Sequence, residues 1–444
     1  MKHHNSMILK KPSLELLSVI ALLLILASGC ASITPSAESM ISESPEAPAE
    51  VSRLQQLEIM SPWPSGGGLE ALQAVIKVFE RQNPGVEVLN AADSGLTYPE
   101  LVAIFDDRMQ KQQPFDSWHV HPGDQVRNHV ILGEVEPLTQ LFRDQGLDRV
   151  IPPVLVEQIT INGEIYSFPL NIHRSNVLWY NPAVFEANSL SPPETIEEFF
   201  TVAEALEERG IIPLALGGNL GFEVGHLFES ILLATFGPED YIQLFQPGTE
   251  MWDDPRAISA IAALQKMLET TNDDHLEISW VAGAQKVVDG EAGMTIMGDW
   301  AAGYFKNQNA LPGQDFGWIA APGTDGAFIW ISDGFVLATG AENREAGIAW
   351  MEVVASREGQ DVFNPIKGSI PARTDADRGL YGEYLRWSLD QFASDELVPS
   401  VVHGAMGPET YLIAFSDALV AFSKDKDETK LLQSLKDAAV YLEE

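Results

Sequence analysis

The residues best suited to chemistry in this sequence are scattered, and most of them border an apolar run. Asp299 and Trp300 follow Met294-Thr295-Ile296-Met297-Gly298, a short strand that stops at a glycine before a helix begins. Gly298 lets the backbone turn tightly without a Cβ penalty, and a carboxylate just ahead of a helix is favoured as its N-cap. The plain expectation is a capped helix with a packed indole. The functional one is a carboxylate that accepts hydrogen bonds from a polar ligand beside a flat aromatic wall. Trp63 lies just past a first strand, and His119 and His121 end a third. Lys367 falls in the loop Phe363-Asn364-Pro365-Ile366-Lys367-Gly368-Ser369-Ile370, and His403 lies in Val401-Val402-His403-Gly404. Charged donors and acceptors suit the hydroxyls of a neutral polyol, and an aromatic plate suits its C–H face.

Other chemistries fit less well. Asp299 and Asp333 form a conceivable carboxylate pair for glycoside hydrolysis, but sequence fixes neither their separation nor their acidity. Nucleophile-elbow, phosphate-loop and dinucleotide fingerprints are absent. Gly66-Gly67-Gly68 precedes a helix without the Lys-Ser/Thr of a phosphate loop. His119-x-His121 puts two imidazoles on one strand face, as zinc requires, with no evident third ligand. Ser423 to Glu428 has acidic spacing without the central glycine of a calcium loop and reads as a solvated helix boundary. No metal or cofactor is therefore expected. The net charge of −37 argues against a nucleic-acid partner.

These residues need a scaffold of alternating strands and helices. Leu54 to Met60 reads as a strand, Ser61 to Gly68 as a loop, and Leu69 onward as a helix with Leu72, Val75, Ile76 and Phe79 at helical spacing. Val86 to Leu89 follows Asn83-Pro84-Gly85, giving a βαβ start and a parallel α/β sheet. Phe115 to His121 is a third strand, and Ile161 to Pro169 a hairpin. Val177 to Tyr180 and Ile212 to Leu216 are strands, and Thr195-Ile196-Glu197-Glu198 opens a helix with a capping box. Gly225 to Phe236, Pro255 to Leu268 and Trp280 to Val288 are helices. Phe316 to Ala320 and Phe328 to Leu337 are strands. At 444 residues, two or more lobes are expected.

The first residues stand apart. Lys2, Lys10 and Lys11 precede an apolar run from Leu14 to Ala27, interrupted by Glu15 and Ser18, which ends in Leu26-Ala27-Ser28-Gly29-Cys30. The run is short for a membrane span, and it resembles a lipoprotein signal with its lipobox. Cys30 is the single cysteine, so no disulfide forms within the chain. Ala31 to Val51, rich in Ser, Pro, Glu and Ala, reads as a tether.

Several ordered stretches are recognisable: Val120-His121-Pro122-Gly123, Val135-Glu136-Pro137-Leu138, Asn171 to Tyr180, Ile296 to Tyr304, Gly359 to Ile370, and Val402-His403-Gly404-Ala405. With them the chain resembles family 1 extracellular solute-binding proteins of ABC importers, most closely the glucose-binding subgroup. The resemblance implies an α/β, two-lobed periplasmic-binding-protein-like fold of type II. Each lobe is a sheet sandwich, hinged to close on a sugar. It implies a signal peptide over 1–29 and the lipidated Cys30 with its tether over 30–53. One lobe would span 54–174 plus 298–362, and the other 175–297 plus 363–444. Carried over at matching positions, Asp299, Lys367 and His403 would bond the hydroxyls. Trp63 would stack on the ring, Trp280 would stack from the other lobe, and His119 and His121 would border the pocket. Trp300 is counted with the site, with packing behind Asp299 as its alternative.

The implied protein is a non-catalytic monomer held on the outer face of the cytoplasmic membrane by the lipid on Cys30. It would deliver a monosaccharide, glucose or a close epimer such as galactose or mannose, to an ABC permease. Pro62 replaces a tryptophan of many relatives, Gly68 a glutamate and His119 a glutamine. Those departures keep a disaccharide or another polyol as an alternative ligand. A secreted carbohydrate-active enzyme is the rival class.

Overall fold

The computed structural model describes residues 55–94 and 98–443; Cys30, the signal segment, the tether and Leu54 lie outside them. Three sheets organise the described residues. The first runs in the order Val86–Asn90, Gln55–Met60, Ser117–Val120, Gly334–Leu337, Ser167–Pro169. Its first three strands are parallel, as the βαβ start requires, and Gly334–Leu337 is antiparallel to both its neighbours. The second sheet runs Gly317–Ala320, Val177–Tyr180, Ala292–Ile296, Ile212–Leu214. Two large cores flank the sheets, and Val177 and Trp179 of the second sheet reach into the one that packs on the first. Phe79, Phe168, Trp330 and Trp350 belong to one, and Phe199, Leu232, Tyr241 and Phe415 to the other.

Two strands of the third sheet, Asn171–Arg174 and Ala327–Ile331, are segments that connect the other two sheets. Its order is Ile370–Pro371, Asn171–Arg174, Ala327–Ile331, Glu396–Pro399. Asn171–Arg174 lies between Ser167–Pro169 of the first sheet and Val177–Tyr180 of the second. The expected single strand from Phe328 to Leu337 is in fact two strands of different sheets, broken at Ser332-Asp333. The break is where a charged residue interrupts an apolar run: Asp333 turns to hydrogen-bonding partners while the flanking residues stay in the cores. Gly317–Ala320, which the expected boundaries place in the first lobe, pairs antiparallel with Val177–Tyr180 and so belongs to the second sheet.

Local sequence accounts for most elements. Leu72, Val75, Ile76 and Phe79 are buried on one face of helix Gly66–Gln82, as their spacing demands. That helix begins three residues earlier than expected, with Ser65 at its N-cap and the glycines in its first turn. Thr195 Oγ1 accepts from Glu198 N–H at 3.1 Å, while Glu198 reaches back to the Glu194 N–H at 2.8 Å, a capping box displaced by one residue. Asn162 and Gly163 both have positive φ, 53° and 84°, and form the two-residue turn between Thr160–Ile161 and Glu164–Ile165. The stretch holding Lys367 is helix rather than loop. Ser356 caps Arg357–Lys367, and Gly368 closes it in the left-handed region at φ 88°.

The end of that helix packs on helix Trp300–Asn307 through a glycine contact. A Cβ at Gly303 would stand 2.6 Å from the Lys367 carbonyl oxygen and 2.8 Å from that of Ile366. Backbone atoms cannot give way as a side chain does. Gly303→Ala is therefore expected to lower the unfolding free energy by about 1–3 kcal/mol in urea titrations. Unchanged stability would mean that these two helices do not meet closely.

Candidate functional site

The residues singled out by their chemistry converge where the three sheets meet. Each is delivered by the end of an element. His119 comes from Ser117–Val120, with His121 just beyond it. Asn171 and His173 sit on Asn171–Arg174, and Asp299 follows Ala292–Ile296. Asp333 fills the break before Gly334–Leu337, Lys367 ends Arg357–Lys367, and His403 follows Glu396–Pro399.

Their centre is His173. Its Nδ1 contacts Asp299 Oδ1, and its Nε2 lies 3.3 Å from Asp333 Oδ2. Asp299 Oδ2 accepts from the Arg174 N–H at 3.0 Å, and the Asp299 N–H donates to the Arg174 carbonyl at 2.9 Å. Asp333 Oδ1 meets His119 Nε2 at 2.9 Å, its Oδ2 accepts from Asn171 Nδ2 at 2.7 Å, and its N–H donates to Asn171 Oδ1 at 2.7 Å. Burial works against a positive His173, but the charge of Asp299 and the bonds to both carboxylates hold its pKa above the ordinary value. Burial likewise raises Asp333, yet the bonds from His119 and His173 and the charge of Lys367 outweigh it and hold the carboxyl well below its usual range. Burial raises Asp299 against the pull of His173. A carboxylate oxygen beside each ring nitrogen favours the protonated form of His173, and Asn171 Nδ2 also lies 3.1 Å from its Nε2.

A wall of rings extends from this centre. Trp63 meets His119 edge-on at 5.0 Å, His119 meets His121 at 4.8 Å, and His121 meets His403 at 5.5 Å. His403 meets His226 at 4.8 Å, His226 meets Trp300 at 5.2 Å, and Trp300 meets His173 at 5.3 Å. The Lys367 ammonium stands 5.1 Å from the centre of the Trp63 ring. Burial, reinforced by the proximity of other histidines, lowers His121 to about 4 and His226 to about 3, and drives His403 well below its ordinary value. His226 Nε2 and His403 Nε2 are 2.6 Å apart, so one neutral ring donates and the other accepts. His403 is held in place by Glu229, whose buried Oε1 accepts from Ser400 Oγ at 2.8 Å and from the N–H groups of Val401 and Val402 at 2.5 and 3.0 Å.

Seven of the eight expected residues therefore gather: Trp63, His119, His121, Asp299, Trp300, Lys367 and His403. Trp280 packs against the helix that Trp300 opens. It opens helix Trp280–Val288, and its ring meets Tyr304 at 5.9 Å. Asp299 occupies the N-cap position of Trp300–Asn307 but makes no capping bond, because its carboxylate is turned to His173 and Arg174. It is fully buried, with one oxygen on His173 and the other on the Arg174 N–H. Asp333, beside His119, His121 and Lys367, is buried as well, with Oδ1 on His119 and Oδ2 on Asn171. Sequence reasoning passed over Asn171, His173, His226 and Glu229. Asp333 carried a visible signal as a lone charge inside an apolar strand. Gly68 carries another. A Cβ there would lie 2.7–2.9 Å from the Trp63 side chain, so the glycine makes room for the indole.

The arrangement suits binding rather than hydrolysis. One carboxylate is sealed from solvent, and the other is held too acidic to donate a proton near neutrality. Residues 63–361 match the family described as bacterial extracellular solute-binding protein. An uncharacterised ABC transporter extracellular-binding protein of Pyrococcus horikoshii is 33% identical over 438 residues, 96% of each chain. The chain belongs to the bacterial extracellular solute-binding protein family, which places its folded part outside the cytoplasm. A xylose/arabinose-binding protein of Haloferax volcanii is 27% identical over 80% of this chain and 78% of its own. A glucose-binding protein of Saccharolobus solfataricus is 21% identical over 73% and 62%, so the likeness to glucose receptors in particular is weak. Among solved structures, a solute receptor with exclusive preference for β-D-galactopyranose superposes with a TM-score of 0.75 at 15% identity, covering 87% of this chain and 97% of that one. A chitin oligosaccharide binding protein gives 0.75 at 20%, covering 87% and 98%. The fold is the two-lobed, type II α/β fold of such receptors.

Two outcomes follow from the central clamp. In imidazole NMR at pH 7, His173 is expected to carry protons on both nitrogens, while His121 stays neutral until the pH nears 4. Because His121 is lowered, its stabilising contribution is complete above about 6.5 and is lost as pH falls through that value toward its folded pKa. A neutral His173 at pH 7 would contradict the clamp. Asp299→Asn, which strands a buried cation, is expected to cost about 3–5 kcal/mol of stability by denaturant titration.

Proposed function

We propose that this protein is the receptor of an ABC importer for a neutral monosaccharide, a hexose such as glucose or its epimers galactose and mannose. The observation that carries the reading is the convergence of Lys367, Asp333, His119 and His121 beside the Trp63 indole. An ammonium and a carboxylate offer charge-assisted hydrogen bonds to vicinal hydroxyls, and the indole covers a C–H face. The sugars named for the Haloferax relative and the galactopyranose receptor agree with the class. Asp299 serves by fixing His173, and Trp300 and His403 line the wall behind.

The Trp63 side chain packs where a side chain at Gly68 would lie, so the indole is the feature offered to the ligand there. Oligosaccharide binding, the property named for the chitin oligosaccharide protein, is the second reading. Cys30 would anchor the receptor by a lipid, and residues 31–53 would hold it clear of the membrane. The lobes would be 54–174 with 298–362, corrected by the pairing of Gly317–Ala320 with the second sheet, and 175–297 with 363–444. Closure is driven by a ligand touching both lobes at once, and the closed form is then presented to the permease.

A thermal-shift panel of monosaccharides and disaccharides tests the reading. A hexose is expected to raise the melting temperature more than any disaccharide. Lys367→Ala is expected to weaken the best sugar by about 1.5–3 kcal/mol in titration calorimetry, the range for a hydrogen bond to a charged group. No shift with any sugar, or unaltered affinity in the variant, would count against it.

A further inference from the structure

His119 and His121 have a third partner that their spacing alone did not reveal. A ring nitrogen of each histidine and a carboxylate oxygen of Asp333 all lie within 4.8 Å of one another. Three points that close fit inside a circle of radius about 2.8 Å, so an ion at its centre needs each ligand to move by under ~1 Å to reach the 2.0–2.1 Å of zinc bonds. The supports of a metal site are in place. His121 Nδ1 lies 3.2 Å from the Ser332 carbonyl and 3.6 Å from Asp333 Oδ1, which orients its ring beside the carboxylate. Asn171 bonds the other oxygen of Asp333 at 2.7 Å, which holds the carboxylate in place. Two imidazoles and one carboxylate with an open fourth position form a donor set that suits Zn²⁺.

We propose that His119, His121 and Asp333 bind one Zn²⁺ in the ligand cleft, and that this metal competes with the sugar. Coordination would take up a ring nitrogen of His119, one of His121 and an oxygen of Asp333, the groups that the sugar-binding reading also uses. A sugar hydroxyl can then no longer use them. The Lys367 ammonium, held near Asp333 by its charge, opposes any cation there. Selectivity therefore rests on the nitrogen ligands, and Ca²⁺ and Mg²⁺, which prefer oxygen, are excluded. The competition rests on the sugar-binding reading; the metal site itself does not.

Titration of the full chain with ZnCl2 by calorimetry tests the site, with Co²⁺ as a spectroscopic probe. One equivalent is expected to bind, with the visible absorption of four-coordinate Co²⁺. His119→Gln and His121→Gln, each checked for an intact fold by circular dichroism and melting, are expected to weaken Zn²⁺ by roughly 100-fold, the upper end of what losing even a supporting group does. His3 and His4 are present in every protein compared, so they cancel. Equal Zn²⁺ affinity in folded variants, or no binding by the parent, overturns the site. In a second titration the apparent Kd of the parent for its best hexose rises in proportion to added Zn²⁺. Sugar binding that ignores saturating Zn²⁺ overturns the competition and spares the site. Zn²⁺ binding without any sugar response keeps the site and counts against the receptor reading.

Discussion

The structure depends on one buried charge triplet. His173 stands between Asp299 and Asp333, and each of those carboxylates has its remaining oxygen or backbone tied to the strand Asn171–Arg174. Asp299 ends the run that leaves the second sheet, and Asp333 begins the run that enters the first. A single imidazolium thus ties together the places where the chain passes between sheets. Two carboxylates buried this close would repel each other without it; with it, the cost of desolvation is offset by complementary charge and a full set of hydrogen bonds. Arg174, next in the strand, is buried in the same way, with Nε on Asn176 Oδ1 at 3.1 Å and Nη2 on the Ala327 carbonyl at 2.9 Å.

The clamp explains why the ligand site lies where it does. Polar residues buried at the junction must be paired, and pairing them orders the neighbours that project into the cleft. His119 is held by Asp333. The segment before His403 is fixed by Glu229, and Lys367 is placed by the glycine contact between two helices. The ring wall from Trp63 to His173 is then a consequence of five elements being pinned at one point. Neutral His121, His226 and His403 offer donors and acceptors without adding charge, which suits an uncharged ligand in a chain this acidic.

How much of this was legible in the sequence depended on distance along the chain. Features set by neighbouring residues read correctly: the amphipathic helix ending at Gln82, the Asn162-Gly163 turn, the capping box at Thr195, and the strand-to-helix junction at Gly298-Asp299-Trp300. The carboxylate at that junction was singled out correctly and its partner was not. Local rules point Asp299 at its own helix, whereas His173, 126 residues away, offers a stronger, charged partner. The same limit hid His226, which looks like any histidine on a buried helix face. It also hid the partner of His119 and His121, Asp333, which lies just before the strand Gly334–Leu337. The break in the run from Phe328 to Leu337 was readable, since an aspartate inside apolar β-structure needs a partner or a turn. Trp280 was placed by resemblance alone, and its ring meets Tyr304, one turn along the helix that Trp300 opens.

The most direct test is a crystal structure of the protein grown with the hexose that stabilises it most. The account predicts one sugar ring against Trp63, with hydroxyls on Lys367 and Asp333, and with His173 still bridging Asp299 and Asp333 behind it. A sugar bound away from these residues, or bound only after His173 leaves its carboxylates, would contradict it.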